Sequence, residues 1–531
     1  MNINEFLKSR GVEDPKHYRN LTWDDVNDPT KLRNIKEAAT MLKKHIKDRT
    51  PIRILVDTDV DGYTSAVMLY LSLEWMNHIG RGELVKYILH DTNKSHGLAK
   101  QDMDLLLEDN TLLIIPDAGT NDDDSILAIN EKIDICVLDH HPRELKSVPP
   151  FVLVNPQTSD GYTNKQLSGA GVVWQFIRYY TKGKLDYSYS DLMAIALIAD
   201  VMDIRSYETK FLITYGLSDI RNPFLRFLVR QTENKTNGVL SIRNVQMYIV
   251  PLMNAIIRVG TLEERDLLFK AFCSADESLH KQAFELADKC KARQDMMIND
   301  WIVEQDFSEF DKVIVMECSL PDGIAGVAAQ KVLSKTGKST ILFPDEDKEH
   351  GHARGKGNFK TLCNDSKLCT AIGHEQAFGV DIEHDKKSAL MDFLNSQQIV
   401  NEDRKPDIIE SDSFVFDAAN LNPLVEFNEY VGAGIEPLIL ELSESVFSSD
   451  SISIIGKKKD TLKIAFEDQV NLMIFFYTTN SDLVETVKRI KKEKKHFSVK
   501  ARCSLSRSEY FGKRSWSLIA EEYEVNIVDA S

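Results

Sequence analysis

Asp57-Thr58-Asp59-Val60-Asp61-Gly62 (DTDVDG) stands between an apolar run, Ile52, Ile54, Leu55 and Val56, and a helix-like segment that leaves from Thr64. Three acids alternate with small or apolar residues, and a glycine closes the turn. A strand that ends in carboxylates and turns into a helix is a common frame for a metal ion. Taken alone, such a turn is more often a solvated loop. The reading of the chain therefore depends on whether other elements end in comparable groups at the same place.

Outward from DTDVDG, strand-like and helix-like runs alternate. TLLIIPD (111–117) and IDICVLDHH (133–141) are apolar runs that end in Asp117 and in Asp139, His140 and His141; FVLVNP (151–156) is a further short strand. Helical spacing covers Gly171–Tyr180 and DLMAIALIADVMDI (191–204), with Asp200 inside the latter. Continuous apolar strands alternating with helices predict an α/β fold with a doubly wound parallel sheet. Ligands of such sheets gather at the carboxyl ends of the strands, where Asp57, Asp59, Asp117, Asp139, His140 and His141 fall. Each piece alone has an ordinary explanation: an Asp after a strand is commonly a helix cap. Asp200 is more telling, because a buried unpaired carboxylate is costly. Several carboxylates in one cleft repel and take up protons unless a cation sits among them. Oxygen-rich ligation with one or two imidazoles suits Mn²⁺ or Mg²⁺ better than Zn²⁺. Two ions sharing a bridging carboxylate activate water and clamp a phosphate oxygen, so the residues read as a two-metal phosphoesterase.

The remaining chain divides by pattern into a helical lead-in (1–50), the catalytic domain (51–205), a helical connection (206–305), a second, smaller α/β domain (306–400) and a β-rich tail (405–531) expected to form an OB-like barrel. At 531 residues with 43% hydrophobic and 28% charged residues, this is an ordinary soluble composition. There is no bilayer-length apolar run and no signal-peptide core, which predicts a cytoplasmic protein without membrane contact. Seven scattered cysteines without a CxxC pair argue against structural zinc or a disulfide framework. The net charge of −17 counts against nucleic acid as a partner, but bound divalent ions offset metal-binding carboxylates. The stretch Thr486–Trp516 also carries eleven Lys/Arg against two Glu.

The sequence resembles the DHH phosphoesterase superfamily, whose name-giving triplet stands here as Asp139-His140-His141, and within it the RecJ-type single-strand-specific exonucleases. ILVDTDVDGYTS (54–65), LIIPDAGT (113–120), VLDHHPRE (137–144) and LIADVMDI (197–204) are similar to the four family motifs. The likeness continues through NPQTSDGYTNKQLSGAGVVWQF (155–176), PLMNAIIR (251–258), DGIAGVAAQKV (322–332), HARGKGNF (352–359), GHEQAFG (373–379) and VGAGIEPLI (431–439). It implies Asp57 and Asp59 on different ions, Asp117 bridging, and His140 with Asp200 completing the ligand set of the second ion. It also implies His141 facing the scissile phosphate, and Asp139 orienting a histidine. Asp61 is a further metal or structural carboxylate. The implied activity is exonucleolytic hydrolysis of single-stranded DNA, 5′ to 3′, by two-metal-activated water with release of mononucleotides.

In the second domain, HGHARGKGNF (350–359) and IGHEQAFG (372–379) read as glycine-rich loops, where backbone and Arg can approach a phosphate. On the resemblance, His352, Arg354, His374 and Arg258 are candidate substrate contacts. The chain departs from the family pattern at Ile372 and Ile257, where glycines are usual, and at His352, where a small hydroxyl residue is usual. The tail's Phe466, Phe475, Phe476, Tyr477 and Phe497, most of them expected in the core, adjoin the basic run KRIKKEKKH (488–496). Such barrels bind single strands by stacking and phosphate contact. Single-stranded DNA is the expected substrate, RNA an alternative, and single-strand-binding or replication and repair proteins are candidate partners. Two other functions fit less of the chain. One is a DHH phosphodiesterase acting on short oligoribonucleotides, cyclic dinucleotides or a nucleoside bisphosphate. The other is a catalytically silent replication scaffold, which would be expected to have lost motif residues that all stand here.

Overall fold

The computed structural model describes the chain apart from residues 78–83, 91–96, 99–109, 130–132, 237–239, 400–404, 412, 457–458, 467–468, 476, 511–512 and 529–531, and apart from the side chains of 76–77, 374, 479, 508–510 and 513. The chain divides into two compact units, Leu21–Glu402 and the pairing of Met1–Asn20 with Asp403–Ser531.

The larger unit begins with a parallel sheet of five strands, β1 (Ile52–Val56), β2 (Val85–Leu89), β3 (Leu112–Pro116), β4 (Asp134–Leu138) and β5 (Val152–Val154), in the order β2-β1-β3-β4-β5. Every residue of β1 and β3 is buried, as expected of parallel strands covered on both faces. The helix Val60–Asn77 leaves directly from the DTDVDG turn. Its Ala66, Val67, Met68, Leu69 and Leu73 are all buried, so it lies in the core rather than on the surface. Each large apolar side chain so buried contributes roughly 1.5–3 kcal/mol. The strand order reverses between β1 and β3, and that crevice is where doubly wound sheets hold their ligands.

Helices, including the 28-residue Glu277–Glu304, lead to a second sheet. It comprises β6 (Val313–Cys318), β7 (Ser339–Pro344), β8 (His350–Arg354), β9 (Cys369–His374) and β10 (Ala377–Ile382), in the order β6-β7-β8-β10-β9. Only β6 and β7 run parallel; the other pairs are antiparallel. Of the two stretches read as glycine-rich loops, residues 355–358 form a turn with Gly357 at a φ of 55°, and most of the rest is strand. The strand glycines sit where a neighbour comes too close for a side chain: a Cβ at Gly351 would lie 2.6 Å from the Phe343 ring. That close approach, rather than a turn, is why glycine interrupts these strands.

The smaller unit is built on a sheet of β11 (Ile408–Ile409), β12 (Leu440–Phe447), β13 (Ile452–Ile455), β14 (Thr461–Ala465), β15 (Val470–Ile474), β16 (His496–Tyr510) and β17 (Lys513–Val528), ordered β11-β12-β16-β17-β15-β14-β13. β16 and β17 form a long antiparallel hairpin with a register shift between Arg502 and Cys503. Phe497 and Tyr477 are core residues, Phe466 is half-buried and Phe475 is exposed; Phe476 lies outside the described residues. The N-terminal segment is tied in by Arg10, whose guanidinium donates to both carboxylate oxygens of Asp407 at 2.9 and 2.7 Å. Both side chains are under 10% exposed. Among the described residues, no helix is long and apolar enough to cross a membrane.

Candidate metal centre

The carboxyl ends of β1, β3 and β4 each deliver acids to the β1/β3 crevice. Asp57 follows β1 and is buried, with Oδ1 accepting from the Gly97 amide at 3.2 Å. Asp59 immediately precedes the helix Val60–Asn77 and accepts from the Gly62 amide at 2.8 Å, as an N-cap does. Gly62 is obligatory here, because a Cβ would sit 2.6 Å from Asp57 Cβ. Asp117 follows β3 with a left-handed φ of 64° and is buried. An aspartate tolerates that conformation better than most residues, at some cost in strain. Asp57, Asp59 and Asp117 bring oxygens within 4.8 Å of one another.

His140 stands opposite. Its Nε2 is 3.3 Å from Asp117 Oδ1 and 3.4 Å from Asp200 Oδ2. All three atoms are buried and none has a hydrogen-bond partner. A hydrogen bond from the ring to the Leu167 backbone fixes the tautomer that leaves Nε2 bare. Burial, with the His141 charge beside it, lowers the His140 pKa to about 4, so the ring is neutral and its lone pair is free to ligate. Burial first, and neighbouring carboxylates second, push Asp117 and Asp200 well above the ordinary carboxylate range. Asp200 caps the end of the helix Ser190–Ala199 rather than lying within it. Unpaired lone pairs and unneutralised carboxylates facing one point are the donor set of a hard divalent cation. Asp117 belongs both to the Asp57–Asp59 group and to the group with His140, so the residues present fit two adjoining ions.

Asp139, fully buried, does not join the open donors. Its Oδ1 accepts from the His140 and His141 amides at 2.6 and 3.2 Å and from His141 Nδ1 at 2.8 Å, and its Oδ2 accepts from the Thr120 amide at 3.0 Å. Burial raises its pKa, but the His141 charge and these hydrogen bonds outweigh it and hold the group well below the usual range. In return, and against the opposing effect of desolvation, Asp139 raises the His141 pKa to about 10. His141 is therefore a cation, half exposed, with its Nε2 edge turned away from Asp139.

Asp61 is the most buried acid of DTDVDG, and its role could not be read from the sequence. Its two oxygens accept from the Gly169 and Ala170 amides at 2.7 and 2.8 Å, which caps the helix Gly169–Thr181. It also hydrogen-bonds Asp117. It lies within 4.8 Å of His140 and Asp200 ligand atoms as well. Two more residues here were not singled out in the sequence, though both lie in the family-like stretch 155–176. Gly169 admits Asp117, since a Cβ would fall 2.4 Å from Asp117 Cβ. Asn155, fully buried, donates to Thr120 Oγ1 and to the His141 carbonyl, both at 2.9 Å, locking together the loops after β3 and β4. Its position directly after a strand, at the start of that stretch, was the cue.

Arg258 ends the helix Val250–Val259. Desolvation lowers its pKa, and the charge of Asp59 opposes this. Arg354, on β8, is lowered to about 10 by burial and by the Arg258 charge. His352, two residues before it, meets Asp322. Arg258 thus lies within electrostatic range of Asp59, and Arg354 within range of Arg258. The side chain of His374 lies outside the described residues.

The family model for the DHH family, N-terminal domain, matches residues 51–197. A putative SPbeta prophage-derived single-strand DNA-specific exonuclease, YorK, of Bacillus subtilis is 30% identical over 511 residues, covering 87% of this chain and 86% of that one. The single-stranded-DNA-specific exonuclease RecJ of Bacillus subtilis is 26% identical over 398 residues, 70% of this chain and 48% of its own. In fold, the crystal structure of RecJ in complex with Mn²⁺ from Thermus thermophilus matches 98% of this chain and 75% of that chain with a TM-score of 0.73 at 18% identity. With a matching family model, a relative that spans most of both chains and a shared architecture, this chain belongs to the DHH family, in its RecJ-type branch.

Proposed function

We propose that this chain is a divalent-metal-dependent exonuclease that hydrolyses the phosphodiester bonds of single-stranded DNA. The observation that carries the reading is the convergence of Asp117 Oδ1, His140 Nε2 and Asp200 Oδ2, buried and without hydrogen-bond partners, at the switch point of a parallel sheet. Its support on the substrate side is that the relatives covering most of the chain are named single-strand-specific exonucleases. Asp57, Asp59, Asp117, His140 and Asp200 would hold Mn²⁺ or Mg²⁺ in two positions sharing Asp117. Once bound, such ions activate water and offset charge on the phosphate. Asp139 keeps His141 protonated and oriented, so that its exposed edge can stabilise charge developing on the phosphate or pass a proton to the leaving oxygen. Arg258, Arg354 and His352 would hold the strand's phosphates along the approach to the site. The helix Ser481–Glu493 of the smaller unit exposes Lys488, Arg489, Lys491 and Lys492 and is a candidate for sequence-independent contact with the strand.

The test is the purified chain with Mn²⁺ on single strands labelled at either end, on duplexes and on dinucleotides. Stepwise release of mononucleotides from single strands is expected, and the label lost first gives the polarity. Cleavage of dinucleotides alone would overturn the reading in favour of a small-molecule phosphodiesterase. Asp117→Asn should lower the single-strand rate by at least 10³-fold with an unchanged circular dichroism spectrum.

A further inference from the structure

His352 is held by a carboxylate that no step above uses. Asp322 opens the helix Asp322–Thr336, and its Oδ1 lies 2.6 Å from His352 Nε2. Both side chains are mostly covered yet reachable, at 12% and 19% exposure. Along β8, Gly351 and Ala353 are buried and Ala353 packs into the core, so His350, His352 and Arg354 alternate onto the opposite face. Two glycines of the first helical turns let the helix close on both arginines. A Cβ at Gly326 would lie 2.9 Å from Arg354 Nη2, and one at Gly323 would lie 3.0 Å from the Arg258 carbonyl. The Asp322-Gly323-Ile324-Ala325-Gly326 turn therefore places an acid on His352 while packing against the Arg354 guanidinium and the Arg258 backbone.

We infer that Asp322 is a positioning residue: its carboxylate holds the His352 imidazole as a cation beside Arg354, and the two together grip a phosphate of the substrate strand. The inference rests on the hydrolase reading above for its substrate class. A histidine held this way differs from a third arginine in one respect: its charge can be lost. A carboxylate at hydrogen-bond distance favours the imidazolium. Other charged groups among the described residues lie close to the pair. His350, on the same strand, faces His352 at 5.4 Å between ring centroids and is itself paired with Asp381 of β10 at 2.5 Å. Glu346 accepts from the Asp322 amide at 3.4 Å. As pH rises the imidazolium discharges, and the grip on an anion weakens.

The experiment measures binding of a fluorescently labelled single-stranded oligonucleotide to the full-length protein, by anisotropy without divalent metal at constant ionic strength, from pH 6 to 9. KM and kcat with Mn²⁺ accompany it. Wild-type affinity should fall several-fold as pH rises. His352→Gln should bind about tenfold more weakly at pH 6.5 and keep only the shallower pH dependence that the metal-free carboxylates impose, raising KM while kcat at saturation stays within twofold. Asp322→Asn should move the same fall to lower pH. His352→Arg, permanently charged, should bind tightly at every pH. A purely structural pair would instead lower the melting temperature in all three variants, with the pH limb unmoved. The inference is overturned if the limb in His352→Gln is as steep as in the wild type, if kcat falls with KM unchanged, or if His352→Arg binds no better than His352→Gln. Binding with the expected limb but no hydrolysis of single strands would sink the nuclease reading and leave the grip standing. Hydrolysis without the limb would do the reverse.

Discussion

Asp117→Asn should do two opposite things: abolish hydrolysis and make the metal-free protein more stable at alkaline pH. Asp117 shares its site with Asp57 and Asp59 within 4.8 Å, and hydrogen-bonds Asp61. Two carboxylates charged together at that separation repel by roughly 3–4 kcal/mol at an effective dielectric of 20. Without a cation the folded chain avoids that repulsion by taking up protons: burial raises the pKa of Asp61, Asp117 and Asp200, and the neighbouring acids raise Asp117 and Asp200 further. Folded pKa values above the unfolded value mean that the native state binds more protons in this window. The associated stability is present at and below about pH 4 and is lost as pH rises through the folded values. Metal-free wild-type protein should therefore melt progressively lower from pH 5 to 8.5. Asn removes one charge, keeps the shape and can donate to the Asp61 carboxylate. It should recover on the order of 1–3 kcal/mol at pH 8 and almost nothing at pH 5. At 2–4 °C per kcal/mol, that is roughly 2–12 °C. Saturating Mn²⁺ adds about 2.7 kcal/mol per site to the wild type at a hundred times Kd, and little to the variant. Differential scanning fluorimetry of chelator-treated protein with and without Mn²⁺ reads both effects. A metal-free melting temperature independent of pH, with Asp117→Asn melting below wild type throughout, would refute the electrostatic account of the site.

Other substitutions probe the scaffold. Gly169→Ala places a Cβ 2.4 Å from Asp117 Cβ and must displace that ligand; overpacking of this kind costs about 1–3 kcal/mol, and Mn²⁺-dependent activity should fall at least a hundredfold with Mn²⁺ affinity in calorimetry. Asn155→Ala strips the buried partners from Thr120 Oγ1 and the His141 carbonyl. It should cost about 1–3 kcal/mol in urea unfolding, with kcat falling more than Mn²⁺ affinity. Arg10→Ala leaves Asp407 buried without its bidentate partner, a loss of about 3–5 kcal/mol for a broken buried pair. Limited proteolysis should then release the first twenty residues while Leu21–Glu402 stays protected.

What the sequence disclosed and withheld follows from how far each signal reaches along the chain. β1, β3 and β4 are apolar runs ending in acids, so both the parallel sheet and the edge carrying Asp57, Asp117 and His140 could be read locally. The strands β8, β9 and β10 looked like loops because their glycines answer to contacts such as the Phe343 ring, which no local pattern records. Asp61 shows the limit most clearly. It looked like the conspicuous spare acid of DTDVDG, yet its partners, Gly169 and Ala170, lie 108 and 109 residues away in the chain. The association of Met1–Asn20 with Asp403–Ser531 depends on a pair separated by 397 residues. Gly62 and Gly169 then explain the geometry of the centre together. Each is bare because an aspartate fills the space its Cβ would occupy, Asp57 in one case and Asp117 in the other. Two helices consequently start hard against two strand ends, and Asp61, on the first helix, caps the second. That cross-brace holds the acids of β1 and β3 close together in spite of their repulsion, and a cation bound between them would relieve it.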